Sequence, residues 1–273
     1  MALILGDGLD ELRRKAQEAT KVVPDWHVSN DHWLQHVLER LWPSFVTLRK
    51  EIFAEAGKSD GEASARYDQW KLRLAELNPA ASDMEIETEA KRLSGLDKLP
   101  IDRVSSRYWG RVMPLYTEVA ILTAALCEAE INLALAWGLS MIDKEDTFQL
   151  IESRTTVDKW LHGPKLILPN YNLPLDTAEA ATLVKVFKER NRLVHPKSTV
   201  QKSGKTKLTG PVFKPTTLSE LLAWIGRYFS LPFDLADFLH AQSPVNGYRF
   251  PFMAQRGAIK RAPQHKLARN ARV

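Results

Sequence analysis

The sequence predicts an all-α protein with a helical N-terminal region and one short β-hairpin. Three observations carry that prediction. Apolar residues recur at spacings of three and four through nearly every long segment. Helix-start pairs stand at Asp176 with Glu179 and at Thr217 with Glu220, where the first side chain accepts from a free backbone N–H and the second reaches back. Polar and apolar residues alternate convincingly only in "STVQKSGKTKLTG", about Ser203-Gly204, the pattern of a short hairpin. With 273 residues, 44% of them hydrophobic, the chain can bury a core as one large domain or two small ones.

In chain order, "LDELRRKAQEA", "DHWLQHVLERLWPSFVTLRKEIFAEA", "ASARYDQWKLRLAEL" and "DMEIETEAKRL" read as amphipathic helices. Pro43 should kink the second of them, and Gly57 to Gly61 should break it from the third. The loop "SGLDKLPIDRVSS" leads to a more apolar series: about Trp109 to Ile142, Glu145 to Glu152, Thr156 to Leu168, Thr177 to His195 and Leu218 to Ala241. No repeat of fixed period is present, and the low-complexity hint is confined to a basic tail after about Ser243.

The apolar run before Gly6 is too short for the hydrophobic region of a secretory signal. In "VAILTAALCEAEINLALAWGLSMI", Glu128 and Glu130 interrupt any uncharged run near the ~18 residues that would span a bilayer, so it reads as a buried helix. The single cysteine, Cys127, cannot close an intrachain disulfide and reads as a small core residue. A cytoplasmic protein without a membrane association is the expectation.

Charge is segregated along the chain. Residues 190–214 hold seven basic and no acidic side chains, as do residues 249–272, leaving 24 basic and 33 acidic residues elsewhere. Such clustering suits a polyanion such as RNA, although a solvated hairpin and a basic tail would look the same.

The site candidate is "RNRLVHPK". With about 100° per residue, Leu183, Val186, Phe187, Arg190 and Val194 fall on one stripe, so Arg190 stands where the pattern reserves a core position. A guanidinium there must meet a carboxylate or open into a wet cleft. In the 109–142 helix, the seam 121, 125, 128, 132, 135, 139 includes Glu128 and Asn132. Pairing of Glu128 with Arg190 is therefore expected, with the two helices side by side. His195 follows Asn191 by one turn and precedes Pro196, which ends the helix. An imidazole titrating near neutral pH and a guanidinium fork suit attack of a ribose 2′-hydroxyl on the adjacent phosphate, with Arg190 and Asn191 stabilising the developing charge. Five residues of ideal helix separate Arg190 from His195 by about 140°, so convergence needs an unwound helix end or a second chain.

"RNRLVH" resembles the R-N-x-x-x-H signature of the HEPN family of small all-helical nucleases and nucleotide-binding domains. "LCEAEINLAL" looks like that family's first core helix with its acidic residue, and "TTVDKWLHGPKLI" resembles the segment between its core helices. "VFKERNRLVHPKS" is similar to its motif helix and exit. The resemblance covers about residues 106–241 and implies an up-and-down helical bundle that dimerises so that two motifs face one cleft. It implies metal-independent endoribonuclease activity without a cofactor, with Arg190 and His195 catalytic, Asn191 supporting and Glu128 the orienting acid. RNA contacts are expected from Arg192, Lys197, Lys202, Lys205 and Lys207. Such proteins often act as toxins or in phage defence, and some are inactive nucleic-acid or nucleotide-binding modules. Control by an inhibitory, antitoxin-like protein, by a modification or by residues 1–105 would each fit. Residues 1–105 are then an N-terminal helical region of open role, and 242–273 a basic tail.

Other constellations are weaker. His27, His32 and His36 lie close together, but no Glu follows His32 as a zinc-protease motif demands, so no metal is expected. "KSGKTK" lacks the leading glycine of a phosphate-binding loop and reads as a basic flap. "FSLPFDLADFLH" has the spacing of core or dimer surface. A binding module that grips nucleic acid without turnover, or a structural partner recruited through the N-terminal helices, would use the same residues differently.

Overall fold

A computed structural model describes residues 30–140, 142–194, 199–200, 208–209 and 217–242. The described residues are mostly helical: α1 (Asn30–Leu77), α2 (Asp83–Ser94), α3 (Pro100–Arg103), α4 (Ser105–Ser140), α5 (Glu145–Glu152), α6 (Thr156–His162), a 3-10 turn (Gly163–Leu166), α7 (Ala178–Val194) and α8 (Leu218–Ala241). Strands β1 (Thr199–Val200) and β2 (Leu208–Thr209) pair antiparallel, Val200 opposite Leu208. The segments "LDELRRKAQEA" and residues 243–273, and with them the basic tail, lie outside the described residues.

The chain divides into two compact units that interleave along the sequence. One comprises residues 1–42, 117–211 and 226–273, the other residues 43–116 and 212–225.

In the second unit, α1 runs without a break from Pro43 to Leu77, correcting the expectation that glycines would interrupt it. Gly57 and Gly61 face open space, and each weakens a helix by about 1 kcal/mol relative to alanine. Their neighbours outweigh that: Ile52, Ala56 and Ala63 are buried on one face of the same helix. Pairs of Arg103 with Asp60, Arg107 with Glu55 and Arg111 with Glu51 run in opposite numerical order, so α1 and the start of α4 are antiparallel. At α2, Ser82 and Glu85 form a capping box, and Gly95 in the left-handed conformation (φ 82°) closes the other end. The expected loop before α4 is partly helical as α3, where the Asp102 carboxylate accepts from the Ser219 backbone N–H. Thr217 and Glu220 cap each other at the start of α8 as their spacing predicts.

The first unit is built round Thr117–Ser140 of α4. Its Val119, Ala120, Ala124, Cys127, Ile131 and Leu135 are buried with Phe229, Phe233 and Leu239 of α8. The Trp160 indole N–H of α6 donates to the Cys127 carbonyl at 2.9 Å, and the Tyr171 hydroxyl donates to the Trp160 carbonyl at 2.8 Å. Two glycines permit close approach: a Cβ on Gly138 would sit 2.5 Å from Ile167 Cδ1, and one on Gly163 would sit 2.8 Å from Leu135 Cδ1. At α7 the cap is Thr177, whose hydroxyl oxygen accepts from Ala180 N–H at 3.2 Å, one residue beyond the expected Asp176. Helix α4 is long and apolar enough to cross a membrane by length and composition, and 56% of its most apolar window is buried in the protein.

Candidate nucleic-acid interface at the end of helix α7

Helix α7 begins as a core helix and leaves the core as it proceeds. Ala180, Thr182, Leu183 and Val186 are buried, Phe187 and Arg190 are half-buried, and Val194 is exposed. The stripe that assigned Arg190 to the core is therefore real for its first two turns and fades over the last two. Arg190 needs no buried carboxylate. Its Nη1 donates to Asn191 Oδ1 at 3.1 Å, and Asn191 itself is exposed.

The expected pairing of Glu128 with Arg190 does not form. Among the described residues Arg190 makes no ion pair, and Glu128 is half-exposed on α4. A second shift accompanies it: the carboxylate that α4 buries completely is Glu130, not Glu128. Because α4 is apolar nearly all round, periodicity left its orientation undetermined. The seat of Trp160 on the Cys127 carbonyl places the 123, 127, 130, 134 seam inside. Burial, and after it the nearby charge of Glu130, hold the Cys127 thiol well above its ordinary pKa.

Asn132, the other polar residue on the apolar helix, is met by Lys159 of α6. Lys159 is only 4% exposed and its Nζ donates to Asn132 Oδ1 at 2.8 Å. Sequence reading passed over this lysine. The available signal was its place beside Trp160, at the centre of a short segment whose neighbours are buried.

Arg192, expected to meet RNA, is engaged within its own helix: Nη2 lies 2.5 Å from Glu189 Oε2, with the side chains 32% and 14% exposed. His195, Lys197, Lys202, Lys205 and Lys207 lie outside the described residues, or outside those whose side chains are described. Also there are His27 and His32. His36 is exposed on α1 with its Nδ1 3.7 Å from Glu39, and no group of three metal-ligating side chains occurs among the described residues.

A polar cleft of about 600 Å³ lies in the second unit and includes Arg66, Arg92, Lys98, Arg103 and Arg107 in its wall. Each arginine there already faces a carboxylate, of Glu62, Glu89, Asp60 and Glu55 respectively. It therefore offers little uncompensated charge to an anion. The end of α7 differs in composition: residues 185–192 hold four basic side chains, Lys185, Lys188, Arg190 and Arg192, and one acidic, Glu189.

No protein-family model matches the chain, and neither does any curated protein or solved structure compared with it.

Proposed function

We propose that this protein is a metal-independent endoribonuclease of the HEPN kind. The observation that carries the reading is the Arg190–Asn191 pair: a guanidinium at the end of a core helix, half-exposed, facing no carboxylate among the described residues and aimed by a neighbouring amide. A fork held in this way is suited to a phosphate with two parallel hydrogen bonds. In the sequence Asn191 and His195 stand four apart, the spacing of one helical turn, and Arg190 donates to Asn191.

In this reaction His195 removes the proton from a ribose 2′-hydroxyl as its oxygen attacks the neighbouring phosphorus. The bond to the 5′-oxygen breaks, leaving a 2′,3′-cyclic phosphate and a 5′-hydroxyl end that takes up a proton. Arg190, oriented by Asn191, meets the charge on the non-bridging oxygens. A homodimer that brings two copies of the motif together supplies a second histidine for the leaving group. The basic residues Lys197, Lys202, Lys205 and Lys207, with the basic tail, track the RNA backbone. A toxin or defence role, held in check by an inhibitory protein, follows from the same reading.

The test is incubation of mixed RNAs with purified protein in EDTA, beside Arg190→Ala and His195→Ala. Cleavage to cyclic-phosphate ends that survives chelation and disappears in both variants is expected. Intact RNA with retained salt-sensitive binding would replace the enzyme by a binding module, and the absence of both would overturn the RNA reading altogether.

A further inference from the structure

We propose that Glu189 is a positioning residue that holds Arg192 in reserve, so that an RNA phosphate gains this cation only by displacing a carboxylate of the protein itself. The proposal rests on reading the end of α7 as an RNA-binding site. Between Glu179 and Glu220 the sequence contains one acidic residue, Glu189, against nine lysines and arginines. That single carboxylate does not stand apart from the motif. It sits directly before Arg190 and lies 2.5 Å from Arg192.

Its location is unfavourable on local grounds. A negative charge near a helix C-terminus opposes the helix dipole, and removing it would leave the cationic surface stronger. The burial is graded in a telling way: Glu189 is 14% exposed and Arg192 32%. The carboxylate lies beneath, and the guanidinium is the outer partner, reachable from solvent. Arg190 and Arg192 are thereby held differently. Arg190 is aimed by a neutral amide and keeps its full charge for a ligand, whereas Arg192 is neutralised until an anion competes for it. A weakly charged ligand would meet only the first; a polyphosphate backbone would recruit both. Glu189 in this way raises the charge density an RNA must bring before the second arginine engages.

A titration tests this with a fluorescently labelled single-stranded 2′-O-methyl RNA, which lacks the attacking hydroxyl. Binding is read over a range of salt concentrations for the full chain, Glu189→Gln, Glu189→Ala, Arg192→Gln and Glu189→Gln/Arg192→Gln. Glutamine keeps the shape of the pair and weakens only its charge. Expected are a two- to fivefold tightening, roughly, in both Glu189 variants and a salt slope steeper by up to about 0.7, the contribution of one further phosphate contact on a single strand. In the Arg192→Gln background the same Glu189→Gln change should alter affinity less than about twofold, because the cation it would release is gone. Equal tightening in both backgrounds would mean that Glu189 acts only as diffuse negative charge, and would overturn the proposal. Salt-sensitive binding by the unaltered chain with no tightening in either variant overturns it while leaving the RNA reading intact. Absence of salt-sensitive binding by the unaltered chain overturns both.

Discussion

Replacing Asn132 by alanine should cost more stability than removing the charge of its partner Lys159. Lys159 is 4% exposed as a residue, and its ammonium has one hydrogen-bond acceptor among the described residues, Asn132 Oδ1 at 2.8 Å. Without that amide the ammonium stays buried and unmatched. Hydrogen bonds to charged groups are worth about 1.5–3 kcal/mol, and an abandoned buried charge costs more, so Asn132→Ala should lose about 2–4 kcal/mol. Lys159→Met keeps the buried stem and removes the charge. The amide it leaves behind belongs to a half-buried residue that water can reach, which limits the cost to about 1 kcal/mol. The pair Lys159→Met/Asn132→Leu should return close to the parent, since neither a charge nor an amide remains to be satisfied. Urea unfolding of the full chain measures all four species, with an unchanged m-value as the condition for comparing them. By heat, Asn132→Ala should melt roughly 5–15 °C lower, at about 2–4 °C per kcal/mol for a protein of this size. If Lys159→Met proves the costlier single change, or if the double variant falls as far below the parent as Asn132→Ala does, the ammonium is not the buried charge that the geometry describes.

Other outcomes follow from the same structure. On the proposed function, Arg190→Lys should lose RNA cleavage by about 10²-fold or more in single-turnover assays although the charge is kept, because an ammonium cannot present the fork. The Cys127 thiol, pushed up by burial and by Glu130, should resist a disulfide reagent in the native protein at mildly alkaline pH and react at once in denaturant. Tyr171, whose hydroxyl donates to the Trp160 carbonyl, is likewise held above its ordinary pKa by burial. For both groups the folded state keeps a proton that the unfolded state releases. Their contribution to stability is therefore complete below the ordinary values and is lost as pH rises above about 9 for Cys127 and about 10 for Tyr171. Tyr171→Phe should flatten the alkaline fall in a series of urea midpoints. Gly163→Ala forces a Cβ to 2.8 Å from the buried Leu135 and should cost about 1–3 kcal/mol in the same assay.

What was legible beforehand is what local chemistry dictates. Helices α5 and α8 begin and end where the sequence places them, because α8 carries its own capping box and α5 is a short amphipathic pattern with clear limits. Gly57 and Gly61 misled because propensity is a local quantity, whereas the continuity of α1 is decided by Ile52, Ala56 and Ala63 packing into a core that the sequence does not display. A helix as apolar as α4 carries no reliable phase. Glu128 and Glu130 are two residues apart and therefore about 160° apart, and tertiary contacts such as the Trp160 indole on the Cys127 carbonyl and the Thr123 hydroxyl on the Tyr228 carbonyl decide which of them goes inside.

The same limit explains the site. Arg190, Asn191 and Arg192 are adjacent in sequence, so their local bonds could have been anticipated, yet the side chains to which each bonds depend on how far α7 remains in the core. A stripe of Leu183, Val186 and Phe187 predicts that position 190 is buried only if the core extends beneath it. It ends at about Phe187, and Arg190 turns to an amide on the surface in place of a carboxylate inside. The polar residues on α4 then require other partners, and Asn132 finds Lys159. The division of labour follows from that exchange. A buried cation satisfies the apolar helix, and Arg190 is left at the helix end with no carboxylate partner among the described residues, the condition a phosphate-binding arginine requires.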